Sequence, residues 1–300
     1  MTLEKLSPIA LFVYNRPYHT KKTIEYLSKN VYAQNSDLFI FSDSPKNPAE
    51  VSKVNEVRNY CHDIKSFKSI KVILREKNLG LAKNITDGIS DILKKNEKVI
   101  VLEDDLLTDR YFLKYMNEAL NKFKNSEDVI SIHGYIYPLK KQFDNPSFLK
   151  GADCWGWATW KRAWDVFEPN GQKILDELKS RGLEKGADFN NSYGLTQMLK
   201  DQIKGKNNSW AVRWYMSAFL KDMLTLYPGK SYVQNIGNDD SGTHCGVSDI
   251  FRVELSTSNN INRLELVENS DSRKKMEIFF HSINGTFIQK LKTRIKRFIK

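Results

Sequence analysis

The chain has 300 residues, enough to bury a large core as one large domain or two small ones. Its composition is 40% hydrophobic, 12% aromatic and 28% charged, as in globular proteins, and a net charge of +11 points to anionic partners: nucleic acid, a membrane surface or phosphorylated substrates. No apolar run approaches the roughly 18 residues of a membrane span, "MTLEKLSPIALFVYNRP" lacks the features of a signal peptide, and three scattered cysteines (Cys61, Cys154, Cys245) without C-x-x-C spacing argue against a disulfide framework or zinc knuckle and for a reducing cytoplasm. The first hundred residues alternate two patterns. "PIALFVY" (Pro8 to Tyr14), "DLFIFSD" (Asp37 to Asp43), "SIKVILRE" (Ser69 to Glu76) and "KVIVLEDD" (Lys98 to Asp105) read as strands, the first being a short apolar run of the fully buried type. Between them lie helical periods: Ile24 and Leu27 after Pro17; Val51, Val54 and Val57 after Pro48; Leu81, Ile85, Ile89 and Leu93 at four-residue spacing. Strands alternating with amphipathic helices predict a parallel sheet covered on both faces, a Rossmann-like half over residues 7 to 106.

Beyond that half, Phe112, Met116, Leu120 and Phe123 share one face of a further helix, and "VISIHGY" (Val129 to Tyr135) reads as a strand. All six tryptophans fall in "CWGWATWKRAW" and "SWAVRW". A strand signal returns in "LTLYP", followed by the Gly- and Asp-rich "NIGNDDSGTHCG". Residues 107 to 250 are read as a second half of the same domain, and 251 to 300 as a C-terminal extension.

Ligands of open α/β sheets bind beyond the carboxyl ends of the strands. Three strands here deliver polar groups at those ends: Asn15 and Arg16, then Asp43, then Glu103, Asp104 and Asp105. Three adjacent carboxylates raise one another's pKa and repel unless something positive joins them. A divalent cation suits them, because Mg²⁺ and Mn²⁺ take one or two carboxylates together with phosphate oxygens. In "REKNLGLAKNITDGI", Asn78 and Gly80 mark a turn, and Lys83 sits in the first turn of a helix, where anions are favoured.

"PIALFVYNRP", the Asp after the second strand, "NLGLAKNITDGI" and "VIVLEDDLL…FLKYM" together resemble the nucleotide-sugar glycosyltransferases of the GT-A fold. Within them the chain resembles the Golgi β-1,2-N-acetylglucosaminyltransferase of N-glycan processing and its bacterial relatives, and the Asn-Gly stretch is similar to family 2 glycosyltransferases. The resemblance covers residues 7 to 245. It implies a GT-A fold: α/β, a Rossmann-like, mostly parallel sheet with helices on both faces and an acceptor-binding second half. It implies transfer of a hexosyl or N-acetylhexosaminyl group from a UDP-sugar, with Mn²⁺ or Mg²⁺, to a glycan or lipid-linked glycan in bacterial surface polysaccharide synthesis. Carried over by position, Asp43 contacts the uracil and Arg16 the nucleotide. Glu103 and Asp104 hold the nucleoside and sugar, and Asp105 is the principal metal ligand.

The Trp-Gly-Trp segment corresponds to one beside the acceptor and donor sugar, so Trp155 and Trp157, flanking Gly156 in an apparent loop, are expected to stack on a pyranose. Trp160 and Trp164, four apart on a helix, are expected in the core. His244 is a candidate metal or diphosphate ligand, and Arg213 a candidate partner for a phosphate or acceptor oxygen. The family's general base, a carboxylate near the start of a helix, has no counterpart in "NNSWAVRWYM"; Asp153, Asp239 and Asp240 are the acids left for that role.

A tail of Phe287, Ile288, Leu291, Ile295, Phe298 and Ile299, interleaved with Lys290, Lys292, Arg294, Lys296, Arg297 and Lys300, has the pattern of a basic amphipathic helix. It suits an anionic membrane surface and a place at the inner face of the cell membrane. Two other functions compete. A sugar nucleotidyltransferase needs a glycine-rich loop after its first strand, and "VYNRPYHT" has no glycine. A nucleic-acid-binding protein accounts for the charge and leaves the acidic triplet unexplained, since carboxylates repel phosphates.

Overall fold

The computed structural model describes residues 5–239, 249–256 and 264–298, with side chains as far as residue 284. Its first half is β1 (Ile9–Val13), α1 (Pro17–Ser28), β2 (Asp37–Ser42), α2 (Val51–His62), β3 (Ser69–Leu74), α3 (Leu81–Leu93) and β4 (Lys98–Glu103). Each of these elements falls where the alternating pattern predicts it. β1, β2, β3 and β4 pair in parallel, in the spatial order β3-β2-β1-β4. All five residues of β1 are buried, and successive side chains of a strand point to opposite faces, so this strand is covered on both sides. Pro17 at the start of α1 has the fixed φ of a first helical residue, and its missing N–H leaves no orphan donor.

The chain goes on through β5 (Leu106–Thr108), α4 (Phe112–Lys122), β6 (Val129–His133), β7 (Ser147–Lys150), β8 (Trp157–Trp160), α5 (Lys161–Trp164), α6 (Gly171–Ser180), α7 (Glu184–Ala187), α8 (Leu195–Ile203), α9 (Trp210–Leu220), β9 (Leu224–Tyr227), β10 (Val233–Asn235) and α10 (Ser270–Phe298). β8 adds antiparallel to β4, and β6, β9 and β7 follow it, so one eight-stranded sheet runs through both halves. The fold is α/β, with a large, mostly parallel central sheet flanked by helices.

β8 departs from the sequence reading. "WATW" gives no polar/apolar alternation because all four residues are buried, and four residues are too few for a period to show. Trp157, expected in a sugar-binding loop, is instead a central-strand residue with no exposed surface. Its ring lies 6.0, 5.7 and 5.5 Å from those of Trp164, Trp210 and Trp214. Trp160 is also in the core, at the end of this strand and not on a helix, and its indole N–H donates to the Leu120 carbonyl at 3.2 Å.

β5 answers why the chain turns apolar again after its three acids. Leu106, Leu107 and Thr108 pair antiparallel with Asn235, Gln234 and Val233, forming a separate two-stranded sheet. Glu103 therefore ends a strand of the large sheet, and Asp104 and Asp105 form the turn into a strand of the small one.

α10 is 29 residues long, and the start of the expected C-terminal extension is packed on the domain. Met276 and Phe280 are buried, Phe280 stacks on Tyr193 at 4.3 Å, and Arg273 lies over the Phe189 ring at 4.7 Å. The side chains of the basic face, 286–300, lie outside those described. No helix among the described residues is long and apolar enough to cross a membrane.

α3 packs on β1 through Gly88, where an added Cβ would lie 2.6 Å from Cε1 of Phe12. That ring is stacked on Phe41 at 5.0 Å and has little room to move. Gly88→Ala gains at most about 1 kcal/mol of helix propensity, whereas overpacking costs about 1–3 kcal/mol. We therefore expect a net loss of stability, read as a lower urea midpoint at unchanged m-value.

Candidate functional site

β2, β1 and β4 are parallel neighbours, so their carboxyl ends lie along one edge of the sheet, and there the residues that follow β1 and β4 meet. Arg16, first after the β1 exit turn, reaches across to the turn after β4. One Nη nitrogen donates to Oδ1 of Asp104 and, at 3.0 Å, to Oδ2 of Asp105. Side-chain exposures of 18%, 5% and 14% for Arg16, Asp104 and Asp105 put this pair well out of bulk water, where charge attraction is strong. Backbone bonds fix the turn: the Thr23 hydroxyl donates to the Asp104 carbonyl at 2.7 Å, and the Ile236 amide donates to the Asp105 carbonyl at 2.9 Å. The segment after β10 lies against the acids so closely that a Cβ on Gly237 would run into Oδ2 of Asp105.

One guanidinium does not balance three carboxylates. Burial, then the charges of Asp105 and Asp104, pushes Glu103 up to about 8. Burial also raises Asp104, but less far, because Arg16 opposes it. Among the described residues Glu103 makes no ion pair, and Asp105 pairs with Arg16 alone.

Those two facts bear on a metal. Among the described residues no group of three or more His, Cys, Asp or Glu side chains is gathered around one point as in an all-protein metal cage. A substrate-borne Mg²⁺ or Mn²⁺ needs only one or two carboxylates, the rest of its shell being phosphate and water. The corner offers such donors, hard oxygens in excess negative charge, and so fits a cation that arrives with a diphosphate.

The other predicted residues are distributed as follows. The Asp43 carboxylate accepts three backbone N–H groups, from Ser44, Leu79 and Gly80, each at 2.9 Å. It thereby ties the end of β2 to the loop before α3. Asn78 donates to the Ser44 carbonyl at 2.6 Å and belongs to the same tie. Asn15 donates to Glu50 at 3.3 Å, and Glu50 also accepts from the Tyr14 hydroxyl. Lys83 is exposed and paired with Asp87 at 2.8 Å along α3. Arg213 donates to the carbonyls of Ser209 at 3.2 Å and Pro169 at 2.9 Å, so it braces the loop before α6 and not the acid corner. His244 and Asp240 lie outside the described residues.

Asp153 and Trp155 stand on the loop leading into β8. Asp153 Oδ2 accepts from the Tyr137 hydroxyl at 2.9 Å, and Trp155 packs edge-on against Tyr135 at 4.8 Å. Trp157 pairs with Val101 in the antiparallel β8–β4 ladder, so the residues just before it run beside the end of β4.

Sequence reasoning missed several residues here. His19, buried on α1, lies 3.0 Å from Asp239 and acts electrostatically on Asp104. Its signal was local: His19 is three residues beyond Arg16, one helical turn away. Tyr137 had no such signal, because only the fold brings its hydroxyl to Asp153.

No protein-family model and no curated protein matches the chain. Among solved structures it is similar to the mannosyltransferase PcManGT from Pyrobaculum calidifontis, in complex with GDP-Man and Mn²⁺, at 13% identity and a TM-score of 0.31; the match covers 44% of this chain and 36% of that one. It is also similar to S. aureus TarS 1-349, at 13% identity and a TM-score of 0.41, over 78% of this chain and 61% of that one. A second S. aureus TarS structure gives 12% identity and a TM-score of 0.43, over 78% and 37%. The chain thus spans between 36% and 61% of the length of these proteins.

A carboxyl group raised in the folded state binds a proton that the unfolded chain releases. Stability then falls as pH rises between the ordinary glutamate value of 4.5 and about 8. Glu103→Gln removes that dependence. Melting temperatures in chelator should separate progressively over this window, the variant being the more stable at pH 8, with the two proteins converging near pH 5.

Proposed function

We propose that the chain is a metal-dependent glycosyltransferase that moves a sugar from a nucleoside diphosphate donor to a glycan or lipid-linked glycan. The observation that carries this reading is the acid corner, with its surplus of negative charge at the carboxyl end of β4 in the crevice of an α/β sheet. Carboxylates repel a diphosphate unless a cation stands between them, so the charge and its location support a metal-bridged substrate. The resemblance of "NRP", "NLGLAKNITDGI" and "VIVLEDDLL" to GT-A enzymes supports the same reading and favours a UDP-sugar. Hexosyl and N-acetylhexosaminyl groups are the sugars it implies, and bacterial surface polysaccharide the product.

In this reading Asp105 would hold the ion, and Glu103 and Asp104 would border the nucleoside and sugar. A bound divalent cation supplies Lewis-acid charge at the oxygen of the departing diphosphate. Arg16 fixes the directions of Asp104 and Asp105, and its remaining N–H donors can meet a phosphate oxygen in a forked contact. Asp43 and Asn78 shape the nucleotide side of the crevice by holding the loop before α3. Trp155, partly exposed at the edge of an aromatic group with Tyr135 and Phe251, offers an apolar surface to a pyranose.

Asp105→Ala tests the assignment. Calorimetry of UDP and GDP with Mn²⁺ should show the metal-dependent part of the affinity lost, at least tenfold, with the melting temperature little changed. Equal affinity in parent and variant would remove the metal from this corner.

The C-terminal tail carries a separate part of the proposal, contact with the anionic inner face of a cell membrane. Its support is the sequence: apolar residues at helical spacing among basic ones. Protein lacking residues 286–300 should stay in the supernatant when sedimented with vesicles containing anionic lipid, while the full chain pellets with them. Identical partition of the two would exclude the tail as the membrane contact.

A further inference from the structure

β8 joins β6 through the pairs Thr159–Ser131, Ala158–Ile132 and Trp157–His133, and beyond them the ladder changes character. The Gly134 amide donates to the Gly156 carbonyl at 2.7 Å. Gly156 itself is left-handed, with φ +65°, and a Cβ there would lie 2.7 Å from a methyl of Val233. With the chain turned at that glycine, the neighbouring amide of Trp155 meets a side chain and not a strand. It donates to Nε2 of His133 at 3.2 Å. The end of β6 and its exit therefore hold the Trp155 loop twice, once by backbone and once by an imidazole.

His133 has no exposed surface. A ring nitrogen that accepts must carry its lone pair, so the proton of this imidazole sits on Nδ1 and the ring is neutral. Burial favours that state. It lowers His133 below the ordinary 6.5, while the Asp153 charge and the Tyr135 backbone oppose the shift. From other elements the ring is faced by Tyr227 of β9, edge-on at 5.0 Å, and by Asp153 of the loop before β8. Tyr135, at 6.2 Å, comes from the exit of its own strand. Burial raises both tyrosines above the usual phenol range, so neither is charged. Trp155 is partly exposed, and its ring is bounded edge-on by Tyr135 at 4.8 Å and Phe251 at 5.6 Å.

We propose that His133 is a positioning residue whose neutral imidazole accepts the Trp155 amide and thereby sets how Trp155 meets the sugar. The proposal rests on the transferase reading, with Trp155 as its sugar surface. His133 touches no substrate and acts through Trp155. Protonation would put a hydrogen on Nε2, and two donors would then face each other across 3.2 Å. A histidine lowered in the folded state stabilises it fully above the ordinary value and loses that contribution as pH falls. The loop is therefore attached above pH 6.5 and is released as pH falls through the lowered value of His133.

Labelling tryptophan with ¹⁵N reports the bond directly, with Trp155→Phe to assign the Trp155 amide. In the parent that signal should titrate with a midpoint below pH 6.5. In His133→Gln, whose side-chain carbonyl can accept the same N–H without titrating, it should stay fixed between about pH 5 and 8. In His133→Phe, a ring with no acceptor, it should be displaced at every pH. Hydrolysis of UDP-, GDP- and CMP-sugars with Mn²⁺, water acting as acceptor, gives the second readout. His133→Phe should lose about tenfold in kcat/KM for the donor, the scale of one buried hydrogen bond left unmade. Its affinity for the free nucleoside diphosphate with Mn²⁺ should be unchanged. His133→Gln should restore kcat/KM and carry its acid limb to lower pH. A Trp155 amide that titrates alike in the parent and His133→Gln, or hydrolysis indifferent to His133→Phe, overturns the proposal. If His133→Phe does not fold, the parent and His133→Gln decide alone. Should the parent hydrolyse no donor, the transferase reading fails, and the amide signal still decides whether His133 holds the loop.

Discussion

The contact between Arg16 and the paired carboxylates of Asp104 and Asp105 is the constraint on which the site is built. It joins the exit of β1 to the exit of β4, neighbours in the sheet, and sets the crevice between them. Removing one partner of such a sheltered pair leaves an uncompensated charge, at a cost on the order of 3–5 kcal/mol. The contact also leaves the corner short of positive charge. Glu103, unpaired among the described residues, is instead pushed up to about 8 by burial and by the charges of its two neighbours, so it holds its proton near neutral pH. The fold thus accommodates three adjacent acids by pairing two of them with one guanidinium and raising the third.

The second half of the chain serves this corner by packing. β8 enters between β4 and β6, buries Trp157 against Trp210 and Trp214, and so carries the preceding loop, with Asp153, Cys154 and Trp155, to the edge of the acids. Aromatic side chains contribute large buried areas and specific edge or stacked contacts, which makes them suited to fixing a loop to its element. α10 reinforces the same region from outside through Phe279 and Phe280 on Tyr137. The tryptophan-rich segment thus acts mainly as a foundation, with Trp155 left at the surface of the site.

Patterns with a local cause were legible in the sequence. The four parallel strands and their helices follow from buried apolar runs and helical spacing, each a property of a few neighbouring residues, and the acids at the end of β4 could be placed from the strand that precedes them. The partners of those acids could not. Arg16 and Asp104 are 88 residues apart, and Tyr137 and Asp153 meet only because β6 and β8 are paired. Trp157 was misread for a related reason, since four buried residues in an antiparallel central strand show no period. The sequence by itself determined the α/β architecture and where the negative charge lies. The tertiary structure alone decided which charges are compensated and which are not, because those outcomes depend on burial and through-space distance, which no local pattern encodes.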